Sequence, residues 1–296
     1  MAKRVVTSVV GLPVLIAIVY FGGIPLQAGF LILSCIALTE FYSALKNSSS
    51  NSPDSKIIEF PVHGRKALIQ NISVNYISYL FAALYYILLP YMYNKAYFFI
   101  LITAFIIVLM VTMVLFFGKV TIVDCAIALF GFFYTAFPLS FIYFIRVQRY
   151  GIYFVWLVFI TAFGCDIFAL LVGNYLAGRV LGRHKLAPEL SPNKTVEGAV
   201  GGILGACLLS VLFGMFIYKW FHLTEINAKI IFGLVGIVGA VFATFGDLAA
   251  SSVKRYTKIK DFGKIFPGHG GVLDRFDSVI FAAPMMYMAI LLLSKD

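Results

Sequence analysis

Apolar residues fill most of this chain in runs of about 20, the length that crosses a bilayer as a helix, with polar clusters between them. After Lys3-Arg4 the first run is Val5 to Phe21. Further runs occupy 26–45, 73–92, 96–117, 121–145, 151–177, 196–219, 228–252 and 276–293. This pattern predicts about nine transmembrane helices. The basic head and first run have the form of a secretory leader. However, no small-residue cleavage site precedes Gly22-Gly23-Ile24-Pro25 and the next run begins at once, so the first helix is expected to be retained. No internal repeat and no second soluble domain is visible. The expected architecture is all-α, a polytopic integral membrane protein with one membrane domain over 1–296. Residues 46–72, Ser/Asn-rich over Asn47–Ser55, form a mobile cytoplasmic linker in this reading, and 178–198 and 251–277 form catalytic loops and helix ends.

Composition excludes an ordinary soluble domain: 61% of residues are hydrophobic and 12% charged, and mean hydropathy is +0.97. The charges orient the helices. Of the 23 Lys and Arg, all but Lys95, Arg146, Arg149, Lys219, Lys229 and Lys295 fall on the side shared by the N-terminus, the 46–72 linker and both polar segments. The positive-inside rule makes that side cytoplasmic, so both segments face the compartment that holds nucleotides. The formal charge of +10 is then a feature of topology, with added attraction for anionic lipid, and gives no reason to expect nucleic-acid binding. Cys35, Cys125, Cys165 and Cys207 are isolated within apolar runs and read as small core residues, with neither disulfide nor zinc indicated. His63 reads as a surface residue.

Charge avoided elsewhere is concentrated in the 251–277 segment, which gathers Lys254, Arg255, Lys258, Lys260, Lys264 and Arg275 with Asp261, Asp274, Asp277 and His269. The turn Pro267-Gly268-His269-Gly270-Gly271 can adopt positive φ, and its amides can cradle phosphate oxygens. Asp274 and Asp277, three residues apart, would share one face of a helix beginning there. Upstream, Asp247, Ser251 and Lys254 stand at i, i+4 and i+7 and line one helical face. Carboxylates beside a phosphate-binding loop suit Mg²⁺, which keeps sites for water and substrate phosphate. In the other segment, Ser191-Pro192 can start a helix whose N–H groups favour an anion, and Lys194 adds a point charge. Asp166 lies near the middle of a span, where charge is expensive. The residues alone leave two readings open. One is a metal-dependent phosphoryl or nucleotidyl transferase. The other is a basic topogenic loop with Asp274 as a helix cap.

The ordered set Ser251-x-Val253-Lys254-Arg255-x4-Lys260-Asp261-x-Gly263-x2-Phe266-Pro267-x-His269-Gly270-Gly271-Val272-x-Asp274-Arg275-Phe276-Asp277 resembles the signature of the CDP-diacylglycerol synthases, also called phosphatidate cytidylyltransferases. Ser191, Pro192, Lys194, Thr195, Glu197 and Gly198 resemble a second element of that family. The resemblance implies transfer of a cytidylyl group from CTP to phosphatidic acid at the cytoplasmic face of the cell membrane, with release of pyrophosphate. It implies metal held by Asp247 and Asp274, with Mg²⁺ and a second cation such as K⁺ as cofactors. Lys254, Arg255 and Asp277 join that pair as catalytic candidates. Ser191, Lys194, Thr195, Glu197, Ser251, Lys260, Asp261, His269, Gly270, Gly271 and Arg275 become substrate-binding candidates, and a homodimer is expected. His269 is expected to order the turn by a hydrogen bond, since a phosphate monoester needs no base. Two positions depart from the family's pattern: Gly178-Arg179 follows Gly173-Asn174 after a five-residue extension, and Ala250 stands where many relatives have Glu. The alternatives are a CTP-dependent polyprenol or lipid kinase, which the full signature disfavours, and an ion-coupled transporter, which leaves the Gly-rich basic loop unexplained.

Overall fold

A computed structural model describes residues 2–50, 72–92, 95–176, 184–218, 225–265 and 270–293. Two compact units are distinguished, Met1–Ser140 with Tyr256–Asp274, and Phe141–Arg255 with Arg275–Asp296. Among the described residues eight helices are long and apolar enough to cross a membrane, and the first helix adds a shorter apolar stretch, Gly11–Phe21. Large apolar side chains such as Ile24, Phe99, Leu115, Phe117, Leu204, Phe216 and Leu292 are exposed. So much outward apolar surface suits lipid and not water. The expected multi-pass helical architecture therefore holds, with one small addition, a two-stranded hairpin.

The first unit begins with α1 (Ala2–Phe21) and α2 (Gly23–Ser50). The helix thus continues into the first residues assigned to the linker, while 51–71, including His63, lies outside the described residues. Next come α3 (Ile72–Leu88), a 3₁₀ turn at Leu89–Tyr91, α4 (Lys95–Leu115), α5 (Ile122–Tyr134) and α6 (Ala136–Leu139). Lipid contributes no hydrophobic drive between helices, so packing and hydroxyl bonds hold them together. Ser34 and Tyr86 share a hydrogen bond at 2.9 Å, Tyr85 and Ser140 share one at 2.8 Å, and the Tyr86 hydroxyl donates to the Ala136 carbonyl at 3.1 Å. Tyr85, Tyr86, Phe105 and Phe132 are fully buried around these bonds.

The run 121–145, expected as a span, is one stretch long and apolar enough to cross a membrane, Ile122–Arg146, but it is built from three helical pieces. It starts at a capping box in which Thr121 accepts from the Asp124 amide and Asp124 accepts from the Thr121 amide. The break comes at Thr135, with φ −115° and ψ −68°. Pro138 lacks the N–H that would continue the ladder, and the hydroxyls of Thr135 and Ser140 donate to the carbonyls of Gly131 and Phe137.

The second unit opens with α7 (Phe141–Arg146), followed by α8 (Gly151–Leu171), which passes into a π turn at Val172–Leu176. Strands β1 (Lys185–Ala187) and β2 (Ser191–Thr195) pair antiparallel and lead into α9 (Val196–Ile217). Then come α10 (Glu225–Tyr256), whose last residue belongs to the first unit, and α11 (Leu273–Leu293). Glycines let α8 and α9 approach closely: a Cβ on Gly202 would lie 2.7 Å from the Cys165 carbonyl oxygen, and one on Gly205 would run into the Phe168 ring. Cys165, Ala206 and Ala240 form the small-residue core beside this seam. Gly202→Val should therefore cost about 1–3 kcal/mol, read as a lower thermal unfolding temperature of the detergent-solubilised protein. An unchanged midpoint would show that the seam is looser than its geometry indicates.

Candidate active site

The 191–195 segment does not begin a helix as expected. Ser191–Thr195 is extended because it pairs with Lys185–Ala187, Lys185 opposite Thr195 and Ala187 opposite Ser191. The Lys185 ammonium also donates to the Pro192 carbonyl. Helix α9 begins four residues later, with Thr195 as its N-cap accepting from the Gly198 amide at 3.0 Å. Glu197, in the first turn of α9, accepts from the His184 amide and pairs with His184 Nδ1 at 2.5 Å. Thr195 and Glu197 thus anchor the hairpin to the helix, and Lys194 projects from a strand.

That placement sets Lys194 against Asp247. The two form an ion pair, each side chain 25% exposed. Asp247 sits in α10, which remains helical through Tyr256, so Ser251 and Lys254 do follow it along one face. Ser251 is buried and Lys254 half-buried. Arg255 Nε donates to the Leu190 carbonyl at 3.0 Å, tying the end of this helix to the hairpin turn. The backbones of α10 and α11 nearly touch beside Asp247: a Cβ on Gly246 would meet the Asp277 carbonyl and lie 3.1 Å from Phe281 Cβ. Asp277 is buried and accepts from the Ser278 amide at 2.7 Å. The Ser278 hydroxyl donates to Asp166 at 3.5 Å. Asp166, Asp247 and Asp277 lie within electrostatic reach of one another, with Lys194, Lys254 and Arg275 as facing cations. Asp166 therefore belongs to this polar cluster despite the extended spacing that follows it. Ala250 is fully buried, a position at which a Glu would have to be neutralised.

In the first unit Asp274 has a different setting. It lies in the first turn of α11, as its spacing from Asp277 anticipates. Its Oδ2 accepts from the amides of Phe262 at 2.8 Å and Gly271 at 3.0 Å. Gly270 has φ +85°, the left-handed conformation expected of the glycine turn. Lys260, Asp261 and Lys264 are exposed. Residues 266–269, and with them Gly268 and His269, lie outside the described residues, as do 177–183, including Gly178-Arg179.

Two features were missed in the sequence. One is Glu40 on α2, buried in an apolar span, whose carboxylate accepts from the amides of Val272 at 3.0 Å and Leu273 at 2.8 Å. The rarity of charge in a membrane helix, which singles out Asp166, applies equally to Glu40. The other is a depression lined by Leu170, Asn174, Lys185, Asn193 and Thr195 beside the hairpin, which exists only once the hairpin forms.

The site fits a hard cation in one respect, since Asp247 offers carboxylate oxygens and already faces a positive charge, the Lys194 ammonium. Among the described residues no group of three or more His, Cys, Asp or Glu gathers to hold a metal. An ion at Asp247 would take further ligands from water and substrate phosphates, the habit of Mg²⁺.

Comparison with known proteins agrees with the signature. The model of the cytidylyltransferase family matches residues 2–293. A phosphatidate cytidylyltransferase of Staphylococcus epidermidis is 36% identical over 170 residues, 57% of this chain and 60% of that one. Its namesake in Staphylococcus haemolyticus is 37% identical over 169 residues, and that of Staphylococcus aureus 36% over 169, with the same coverage. The chain thus matches 60% of the length of these curated relatives. The family match runs through nearly every element described above, the hairpin, the Asp247 helix and the glycine turn included, and on that evidence this chain belongs to the cytidylyltransferase family.

Proposed function

We propose that this protein transfers the cytidylyl group of CTP to phosphatidic acid, forming CDP-diacylglycerol and pyrophosphate. The observation that carries the proposal is the Lys194–Asp247 pair. It sets a cation and a carboxylate side by side among apolar helices, next to a helical face that continues through Ser251 to Lys254. Family membership and the name of the relatives support the same reading.

In this reading a phosphate oxygen of phosphatidic acid attacks the α-phosphorus of CTP in line. The P–O bond to the β-phosphate breaks, and its electron pair leaves with pyrophosphate. Lys194 and Lys254 meet the triphosphate, and Arg255, bound to the Leu190 carbonyl, holds the hairpin turn over it. The attacking phosphate is already anionic, so no protein base is needed. Mg²⁺ bound at Asp247 would neutralise charge spreading over the reacting phosphates. The resemblance also assigns metal to Asp274, and a second cation such as K⁺ belongs to the same proposal. The N-terminus and the site are assigned to the cytoplasmic face by the distribution of Lys and Arg, and the assembly is taken as a homodimer in the cell membrane.

The test supplies purified protein and Mg²⁺ with phosphatidic acid, and separately with a polyprenol, using CTP labelled in the cytidine or at the γ-phosphate. Cytidine label in the phosphatidic acid lipid is expected. Label from the γ-phosphate entering lipid would replace the proposal with a kinase, and no label in either lipid would return weight to transport.

A further inference from the structure

The segment between α10 and α11 is closed at its base by two carboxylates. Glu40 receives the amides of Val272 and Leu273 on its two separate oxygens, and Asp274 Oδ2 receives those of Phe262 and Gly271. Four backbone donors, one before the glycine turn, one at its last residue and two after it, are thus held by acids on two elements, Glu40 on α2 and Asp274 on α11, 234 positions apart in the chain. Both acids are buried. The fit around Glu40 also depends on glycine. A Cβ on Gly263 would lie 2.7 Å from Glu40 Cδ, and one on Gly271 would overlap the carboxylate itself. Glu40 is therefore enclosed by both edges of the turn and joined to its C-terminal edge by two charge-assisted bonds, which are stronger than neutral ones.

The start of a helix attracts an anion, and at α11 that anion is Glu40. The amides of Gly271, Val272 and Leu273 are consequently occupied by the protein's own carboxylates and do not serve as a phosphate cradle.

We propose that Glu40 is a positioning residue for nucleotide binding. It fixes the backbone on both sides of the glycine turn so that Lys260, Asp261 and Gly270 are presented to CTP in one geometry. This inference rests on the cytidylyl-transfer reading for its kinetic consequence, but the clamp itself is a property of the backbone and can be measured without turnover.

The experiment compares full-length wild type, Glu40→Gln and Glu40→Asp in lipid nanodiscs, by amide hydrogen exchange and by kinetics in CTP and phosphatidic acid. Gln keeps the size but can accept from only one of the two amides, and its NH₂ opposes the other. Exchange over 262–275 should rise in Glu40→Gln while the other helices stay protected. KM for CTP should rise on the order of tenfold and kcat should fall on the order of a hundredfold, the scale of a small misplacement, with KM for phosphatidic acid unchanged. Glu40→Asp, which keeps both oxygens, should recover part of each effect. Unchanged exchange at Val272 and Leu273 in Glu40→Gln overturns the clamp. Raised exchange with wild-type kinetics overturns the positioning role. A loss of Vmax that only follows the folded fraction, with both KM values unchanged, also overturns it in favour of a purely structural Glu40. If wild type transfers no cytidylyl group, the functional reading fails, and with it the positioning role, while the clamp is decided by exchange alone.

Discussion

Asp247→Asn will reduce the proposed cytidylyl transfer on the order of a thousandfold, the upper range for losing one preorganised charge interaction at a transition state. The protein will remain folded. Asp247 is partly exposed and among the described residues it pairs with Lys194, so the lost ion pair is worth at most about 1 kcal/mol of stability. The loss is larger in catalysis because Asn keeps the shape of the side chain but removes the charge that would hold a hard cation against the phosphates. The check combines turnover with a thermal melt of the same preparation. Near-normal turnover in Asp247→Asn would remove the metal from this helix, and a collapsed melt would make Asp247 a structural residue.

Lys194→Met should lower kcat/KM for CTP on the order of a hundredfold, and Lys194→Arg should recover only part of it. The guanidinium keeps the charge but is wider than the ammonium that β2 sets against Asp247. Groups that act as a unit are not additive. The Asp247→Asn, Lys194→Met double variant should therefore be scarcely slower than Asp247→Asn alone. Strictly multiplicative losses would mean that the two residues serve separate steps, and the ion pair would then be no guide to the chemistry.

The membrane spans were legible because lipid imposes a length and an apolar composition on any helix that crosses it. The helical face Asp247, Ser251 and Lys254 and the helix start just before Asp274 followed from spacing alone. The hairpin was not legible. Ser191-Pro192 carries a local helix-start signal, and it is overruled by pairing with Lys185–Ala187, an interaction that only the folded chain brings about. The break at Thr135 was foreshadowed by Pro138, but the long apolar run around it hid the signal. Glu40 was missed for a different reason. Its significance lies in two amides more than 230 positions away, and no local motif surrounds it.

The π turn at Val172–Leu176 bears on how insertions and deletions in this chain should act. Such a turn holds one residue more than an α turn, and one residue corresponds to about 100° of rotation around a helix. Within this turn Gly173 packs against the N-cap of α9, where a Cβ would lie 2.8 Å from Thr195 Oγ1. Deleting a single residue from 172–176 would restore the ordinary helical period and swing Gly173 off that contact.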